Sequence, residues 1–338
     1  MSPGALATKV ADGRATLYRR RRRARSMALF HRDRLRRRRS TRGIDIPSGG
    51  SEVRELRSRG VVTLTAHADR ERLGVVHSVL EEALDTGSEL LLPITEHALS
   101  PGADRTSARH LVSADVVADG QGAFRSITQA AGIAQPLLAD PAVVDLVFDE
   151  RLIDLAGAYL GAAPAITGVN LRKSFANDLP PFDTLYYHRD GNSARFVKFF
   201  FYLHDVGPGG GAFTYVPGSH RRRRERMSQK RWSDEEVAEW YPDSPGVELT
   251  AAAGDVIAAD TTGFHRGTKP TAADRSMLTV YYAVHPEFGG EGRPFELAAD
   301  DLARLSPKQQ RAADFLTVVE RPLRPMGQRD VIPGREPS

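Results

Sequence analysis

The sequence predicts a mainly β protein, a double-sheet jelly roll or barrel with helices packed outside it. Three observations carry that prediction. Between Pro164 and Val284 the chain breaks into about seven short segments rich in β-branched and aromatic residues, separated by Gly, Pro, Asn and Asp, the pattern of antiparallel strands joined by turns. One of them, Phe196 to Val206, opens on a run that is apolar on both faces apart from Lys198, so it belongs in the middle of a sheet with a layer on each side. Helical periodicity is found outside this stretch and in one insertion within it.

Composition narrows the chemistry. The 338 residues are 41% hydrophobic and 27% charged, enough for one large domain or two small ones. There is no cysteine, which excludes disulfides, thiolate metal sites and cysteine nucleophiles. No apolar run approaches the ~20 residues of a membrane span, and no secretory pattern opens the chain. A soluble, cytoplasmic protein is expected. The net charge of +4 is uneven, because Arg19 to Arg23 and Arg36 to Arg39 load the first 43 residues with cations and leave the body acidic. The basic character therefore belongs to a tail. Residues 1–50 are expected to form a disordered or loosely helical extension. A contact with nucleic acid or an acidic membrane is the alternative reading, and base-stacking aromatics are nearly absent there. Pro47-Ser48-Gly49-Gly50 reads as the linker that ends it.

The elements of the body follow in order. Gly60 to Leu64 reads as a strand. His67 to Leu84 reads as a helix, with Leu73, Val76, Leu80 and Leu84 on one face. Glu89 to Asp119 is loop-rich. Asp140-Pro141 starts a helix, Asp as cap and Pro in the first turn, with Phe148, Leu152, Leu155 and Tyr159 as its apolar stripe and Gly161 as its stop. Strands follow at Pro164 to Phe175, Thr184 to His188, Phe196 to Val206, Ala212 to Val216, Val247 to Ala253, Asp255 to Ala259 and Met277 to Val284. Between them, Ser233-Asp234-Glu235-Glu236 begins a short acidic helix ending near Tyr241, placed as a lid would be. Ser306-Pro307 begins a C-terminal helix expected to run through Val319. Residues 51–290 are read as the main domain and 291–338 as a C-terminal helix and tail.

The chemistry gathers at Thr184 to Asp190. On a strand, His188 and Asp190 point the same way and can share a metal ion. His-x-Asp alone is a weak signal. His265, within Gly263-Phe264-His265-Arg266-Gly267, is the best third ligand. Two His and one carboxylate leave three open positions, an arrangement that suits non-haem Fe(II).

The residues from about Glu52 to Pro286 resemble the phytanoyl-CoA dioxygenase family of Fe(II)- and 2-oxoglutarate-dependent oxygenases. The resemblance is carried by His188-Arg189-Asp190, by Leu203-His204-Asp205-Val206 followed by Gly211 to His220 with its Pro-Gly-Ser-His ending, by Gly254-Asp255-Val256-Ile257 leading into Phe264-His265-Arg266-Gly267, and by Arg275. It implies a double-stranded β-helix (jelly roll, cupin-like) core. It implies His188, Asp190 and His265 as iron ligands and Arg275 as partner of the distal carboxylate of 2-oxoglutarate. It also implies O2 as oxidant, with succinate and CO2 released as a C–H bond of a small molecule is hydroxylated. A guanidinium suits that carboxylate, because it forks onto it bidentately inside a closed barrel. Halogenating relatives replace the carboxylate ligand by a small residue, so Asp190 favours hydroxylation.

Further candidates are Thr279, on the Arg275 face of its strand and able to add a hydroxyl to the same carboxylate, and Lys173 and Lys198, as second contacts to the co-substrate. Lys198 either snorkels or faces an anion in the barrel. Tyr186 lines the pocket or stacks in the core. Arg221 to Arg224 either bind an anionic part of the substrate or form a solvated charge run. His204 and His220 read as structural. Two other classes stay open: a cupin-like metal enzyme that does not use 2-oxoglutarate, and a non-enzymatic binding protein using the basic tail.

Overall fold

The computed structural model describes residues 24–25, 27–38, 50–85, 91–94, 130–133, 140–181, 183–190, 194–221, 231–285 and 296–320. Two antiparallel sheets face each other. The larger runs β1 (Val61–Leu64), β8 (Val256–Ala259), β5 (Phe196–Tyr202), β10 (Arg275–Ala283), β4 (Ala165–Ser174), β3 (Ala130–Ile133) and β2 (Leu91–Ile94). The smaller runs β7 (Val247–Leu249), β6 (Phe213–Tyr215) and β9 (His265–Gly267). The double-sheet jelly roll expected from the strand pattern is therefore present, and β5 is central in it with every residue buried.

Alternation along each strand creates two cores. One face of the large sheet presents Val169, Leu171, Val197, Phe199, Phe201, Leu278, Val280 and Tyr282 to the helices. The other presents Phe200, Tyr202, Ile257, Ala259 and Met277 to Phe213 and Tyr215 of the small sheet. The helical layer includes α2 (Ser51–Arg59), α3 (Arg70–Asp85), α4 (Pro141–Val147) and α5 (Glu150–Leu160). The eight apolar positions expected inside from this layer, Leu73, Val76, Leu80, Leu84, Phe148, Leu152, Leu155 and Tyr159, are all buried.

Four expectations about local structure are corrected. The helix from Pro141 is two helices. Asp149 interrupts it and its side chain accepts from Leu152 N at 3.0 Å, capping α5 afresh. Thr184 to His188 is a 3-10 turn, Asp183–Leu185, followed by isolated bridges at Tyr187 and His188 rather than a strand. The helix from Pro307 ends at Ala312, and Thr317–Val319, β-branched throughout, pairs as a strand with Glu296–Ala298. Finally, residues 27–38 are not a loose extension: they form a helix, α1, seated on the body. Phe30 lies in the main core. The buried Arg37 donates to Ala163 O at 2.6 Å, Pro164 O at 3.1 Å and Arg311 O at 3.0 Å, and pairs with Asp314 at 2.9 Å. Asp33 meets His285 just past β10.

The acidic helix appears as α6 (Asp234–Trp240), closed by a capping box between Ser233 and Glu236. Among the described residues no helix is long and apolar enough to cross a membrane. Most of Glu89 to Asp119, and Arg222 to Arg224, lie outside the described residues.

Candidate metal centre

The two histidines meet because their backbones pair. His188 N donates to His265 O at 2.9 Å and His265 N to His188 O at 3.1 Å, so the residues stand directly opposite and their side chains share a face. Their ring centroids are 4.2 Å apart. Asp190 N donates to Thr261 O at 2.9 Å, which ties the other end of the His-Arg-Asp segment to the turn before β9. Asp190 Oδ2 lies 3.4 Å from His265 Nε2, and Oδ1 lies 3.9 Å from His188 Nε2. One donor atom from each of the three falls within 4.8 Å of the others. Two ligands at about 2.1 Å from a shared metal stand roughly 3 to 4 Å apart, so the set has the dimensions of a metal site.

The backbone also fixes which nitrogen faces inward. His188 Nδ1 is 3.0 Å from Tyr186 O, and His265 Nδ1 is 3.0 Å from Gly263 O. A carbonyl only accepts, so Nδ1 carries the proton in each ring and Nε2 keeps its lone pair for a metal. Burial, then the neighbouring His265, push His188 well below its usual range, which keeps it neutral and able to ligate. Burial alone would raise Asp190. The Lys198 charge and His265 outweigh it, and the group is held well below the carboxylate range as an anion. A cysteine-free set of two imidazoles and one carboxylate fits a divalent first-row metal with open positions.

The segment carrying the ligands is braced from behind. Arg189 Nη1 donates to Ser219 O at 2.9 Å and Thr262 O at 2.6 Å, Nη2 donates to Tyr241 OH at 2.9 Å, and the guanidinium lies 4.1 Å from the Phe264 ring centroid. Asp260 shapes the turn into β9, accepting from Thr262 N at 3.0 Å, Thr262 Oγ1 at 2.6 Å and the Tyr159 hydroxyl. Tyr215 OH donates to Asp260 O at 2.8 Å, and a Cβ on Gly263 would stand 2.0 Å from that hydroxyl, so only glycine fits there. Sequence reasoning missed Arg189, Asp260 and Tyr159. The one local signal was Asp260 two residues before Thr262, the spacing of a side chain that caps its own turn.

Arg275 is 1% exposed, at the start of β10. Its Nη2 donates to Ser174 Oγ at 3.2 Å, its Nη1 meets Gly211 O, and its Nε has no partner. A Cβ on Gly267 would come within 3.2 Å of Nη2, which places the guanidinium against β9, on the strand that carries His265. Burial lowers its pKa to about 10, and among the described residues the charges that act on it are Tyr202 and Arg172, with no carboxylate. A fully buried cation lacking an acid is costly unless an anion joins it.

The remaining candidates separate. Thr279 is buried on the same face as Arg275, but four residues along a strand is about 13 Å, so the two do not grip one carboxylate. Lys173 shares its face with Val169 and Leu171, which the helices cover, and its Nζ pairs with Glu81 at 2.7 Å and Asp274 at 3.7 Å. Lys198 lies on the cavity side with Phe200 and Tyr202, but its Nζ stands 2.8 Å from Asp190 Oδ2 rather than beside Arg275. Tyr186 is 39% exposed, and the contact it makes to the centre is through its carbonyl. Arg221 is exposed after the Pro217–His220 turn, which packs on α2 through Gly218 N to Arg59 O at 2.6 Å. His220 Nε2 is 3.1 Å from Arg57 O, and His204 Nε2 accepts from Ser276 N at 3.0 Å; both sit in structural contacts.

Comparison with known proteins adds the following. The family model described as phytanoyl-CoA dioxygenase (PhyH) matches residues 103–277. That span starts inside the loop-rich stretch from Glu89 to Asp119 and ends before Thr279. No curated protein matches the chain. Among solved structures, the non-heme alpha ketoglutarate dependent carbocyclase SnoK from nogalamycin biosynthesis is 21% identical with a TM-score of 0.48, over 77% of this chain and 92% of its own. The epimerase SnoN in complex with Fe3+, alpha ketoglutarate and nogalamycin RO is 16% identical with a TM-score of 0.49, over 69% and 82%. EctD from S. alaskensis in its apoform is 19% identical with a TM-score of 0.49, over 71% and 78%.

Proposed function

The chain belongs to the phytanoyl-CoA dioxygenase family, and from that premise we propose that it is an Fe(II)- and 2-oxoglutarate-dependent dioxygenase that hydroxylates a C–H bond of a small molecule. In this reading His188, Asp190 and His265 hold the metal from one side. Ferrous iron, when bound, supplies the oxygen activation by which 2-oxoglutarate and O2 become succinate and CO2 while the substrate gains a hydroxyl.

The protein's own residues bind, orient and keep water out. Arg275 takes the distal carboxylate of the co-substrate, with Ser174 and the Gly211 carbonyl fixing the plane of its fork. Phe200 and Phe213, stacked at 4.4 Å, wall the cavity beside His265, whose ring lies 5.6 Å from Phe213. Such a wall excludes water from the reacting groups. Tyr186 and Arg221, both exposed, are kept as substrate contacts at the rim. Residues 51–290 are taken as the catalytic unit.

The single observation that carries this reading is Arg275, a buried guanidinium with no acid beside it among the described residues, packed against β9, the strand that carries His265. The test is succinate formation by the full chain with Fe(II), 2-oxoglutarate and O2 across a panel of small molecules. Succinate that requires both iron and 2-oxoglutarate, and disappears in His265→Ala, is expected. Metal-dependent turnover that ignores 2-oxoglutarate would overturn it in favour of a cupin-like enzyme of another kind.

A further inference from the structure

We propose that Lys198 is a positioning residue for the metal centre: its ammonium group holds Oδ2 of Asp190, so that the carboxylate presents one oxygen to the metal in a fixed orientation. The inference rests on the metal-centre reading above.

The geometry is specific. Lys198 projects from the central strand β5 into the cavity, and its Nζ stands 2.8 Å from Asp190 Oδ2, while Oδ1 is the oxygen on the His188 side. The ammonium is walled in. Its cross-strand neighbour on β10 is Tyr281, whose ring centroid is 4.0 Å from Nζ, and the Phe196 centroid is 5.8 Å away. On β8 its neighbour is Ala259, small enough to leave room for the lysine stem. With side-chain exposures of 10% for Lys198 and 17% for Asp190, the contact has little freedom to swing into solvent.

A carboxylate left to itself can bind a metal through one oxygen or both. Binding through both would consume a coordination position. If each of the three side chains gave the metal one atom, positions would stay open for the co-substrate and oxygen, so Asp190 would serve through a single oxygen. The two histidines are oriented by carbonyls at their Nδ1 atoms, and Asp190 has no equivalent carbonyl to orient it, because an anion needs a donor. Lys198 supplies the positive charge: its ammonium forms an ion pair with Oδ2, an atom that has no hydrogen-bond partner among the described residues, and so gives the third ligand a partner of its own.

A competing effect has the opposite sign. An ammonium beside a divalent cation repels it, so if charge alone mattered, removing Lys198 would tighten metal binding. The experiment is calorimetric titration of Co(II) into metal-stripped full-length protein for wild type, Lys198→Met and Lys198→Arg. Met is expected to bind about ten-fold or more weakly, and Arg, which retains a cationic donor, to recover most of the loss. Lys198→Gln, neutral but able to donate to Oδ2, covers the case in which the Met variant does not fold, and is expected to fall between Met and wild type. Binding by Met, or by Gln in its place, as tight as wild type or tighter would overturn the proposal. Failure of the underlying reading looks different: wild type itself would bind no Co(II), or His265→Ala would bind as well as wild type.

Discussion

Arg275 carries a charge that no acid among the described residues neutralises, and this makes it the residue with the sharpest expected phenotype. Its replacement by Met leaves the stem and removes the fork. A charge-assisted contact is worth about 1.5–3 kcal/mol, so KM for 2-oxoglutarate should rise roughly ten- to hundred-fold in succinate assays, with Co(II) affinity unchanged. Lys at this position should recover only part, since a point charge cannot engage a carboxylate through two parallel bonds. His188, Asp190 and His265 were put forward from short motifs and Arg275 from its place after His265, and the structure brings the first three within reach of one another. Lys173 and Lys198 were not separable by type. What separates them is parity: Lys173 falls in step with Leu171, which the helices cover, and Lys198 with Phe200, which faces the cavity. Arg189 and Asp260 were hidden for another reason. Arg189 works on the Ser219 and Thr262 carbonyls, and no spacing advertises a bond to a distant carbonyl; Asp260 leaves only the short spacing to Thr262, whose N–H and hydroxyl donate to it.

At the scale of elements, the join between α3 and β4 is electrostatic. Burial pushes Glu81 up, but hydrogen bonds from His77 and Lys173 hold it down to about 2, against 4.5 when unfolded. A depressed carboxylate contributes stability that is complete above its unfolded pKa and is lost as pH falls through the folded one. The wild type should therefore lose stability between about 4.5 and about 2, and Glu81→Gln should show a shallower loss there in urea melts at matched pH. The break between α4 and α5 makes a second case. The apolar stripe runs unbroken through Phe148 and hides it, while Asp149 caps α5 and also pairs with His67 at 3.2 Å. Asp149→Ala should cost about 1–2 kcal/mol of unfolding free energy by urea titration. Strand content was legible through β-branched runs, but at Thr317 the strong helix start at Ser306-Pro307 outweighed that signal, and the helix was carried too far.

For the whole molecule, the sandwich was predictable because alternation and turn residues repeat through the second half of the chain. The seat of α1 was not, because fifteen cations in the first 43 residues drown the single Phe30 that docks. Deleting residues 1–38 removes that aromatic from the core, worth about 2 kcal/mol, and strips Arg37 from three carbonyls and Asp314. The truncated protein should melt several degrees lower by differential scanning calorimetry, where a detachable tail would leave the melting temperature in place.

That clasp has a temporal side. Arg37 and Asp314 are separated by 277 positions, so during synthesis the arginine leaves the ribosome long before its acid exists. The Ala163 and Pro164 carbonyls emerge at the halfway point and can receive it first. Only when Asp314 has been translated can the guanidinium close on the carbonyls and the acid together, which makes this buried cation a late latch.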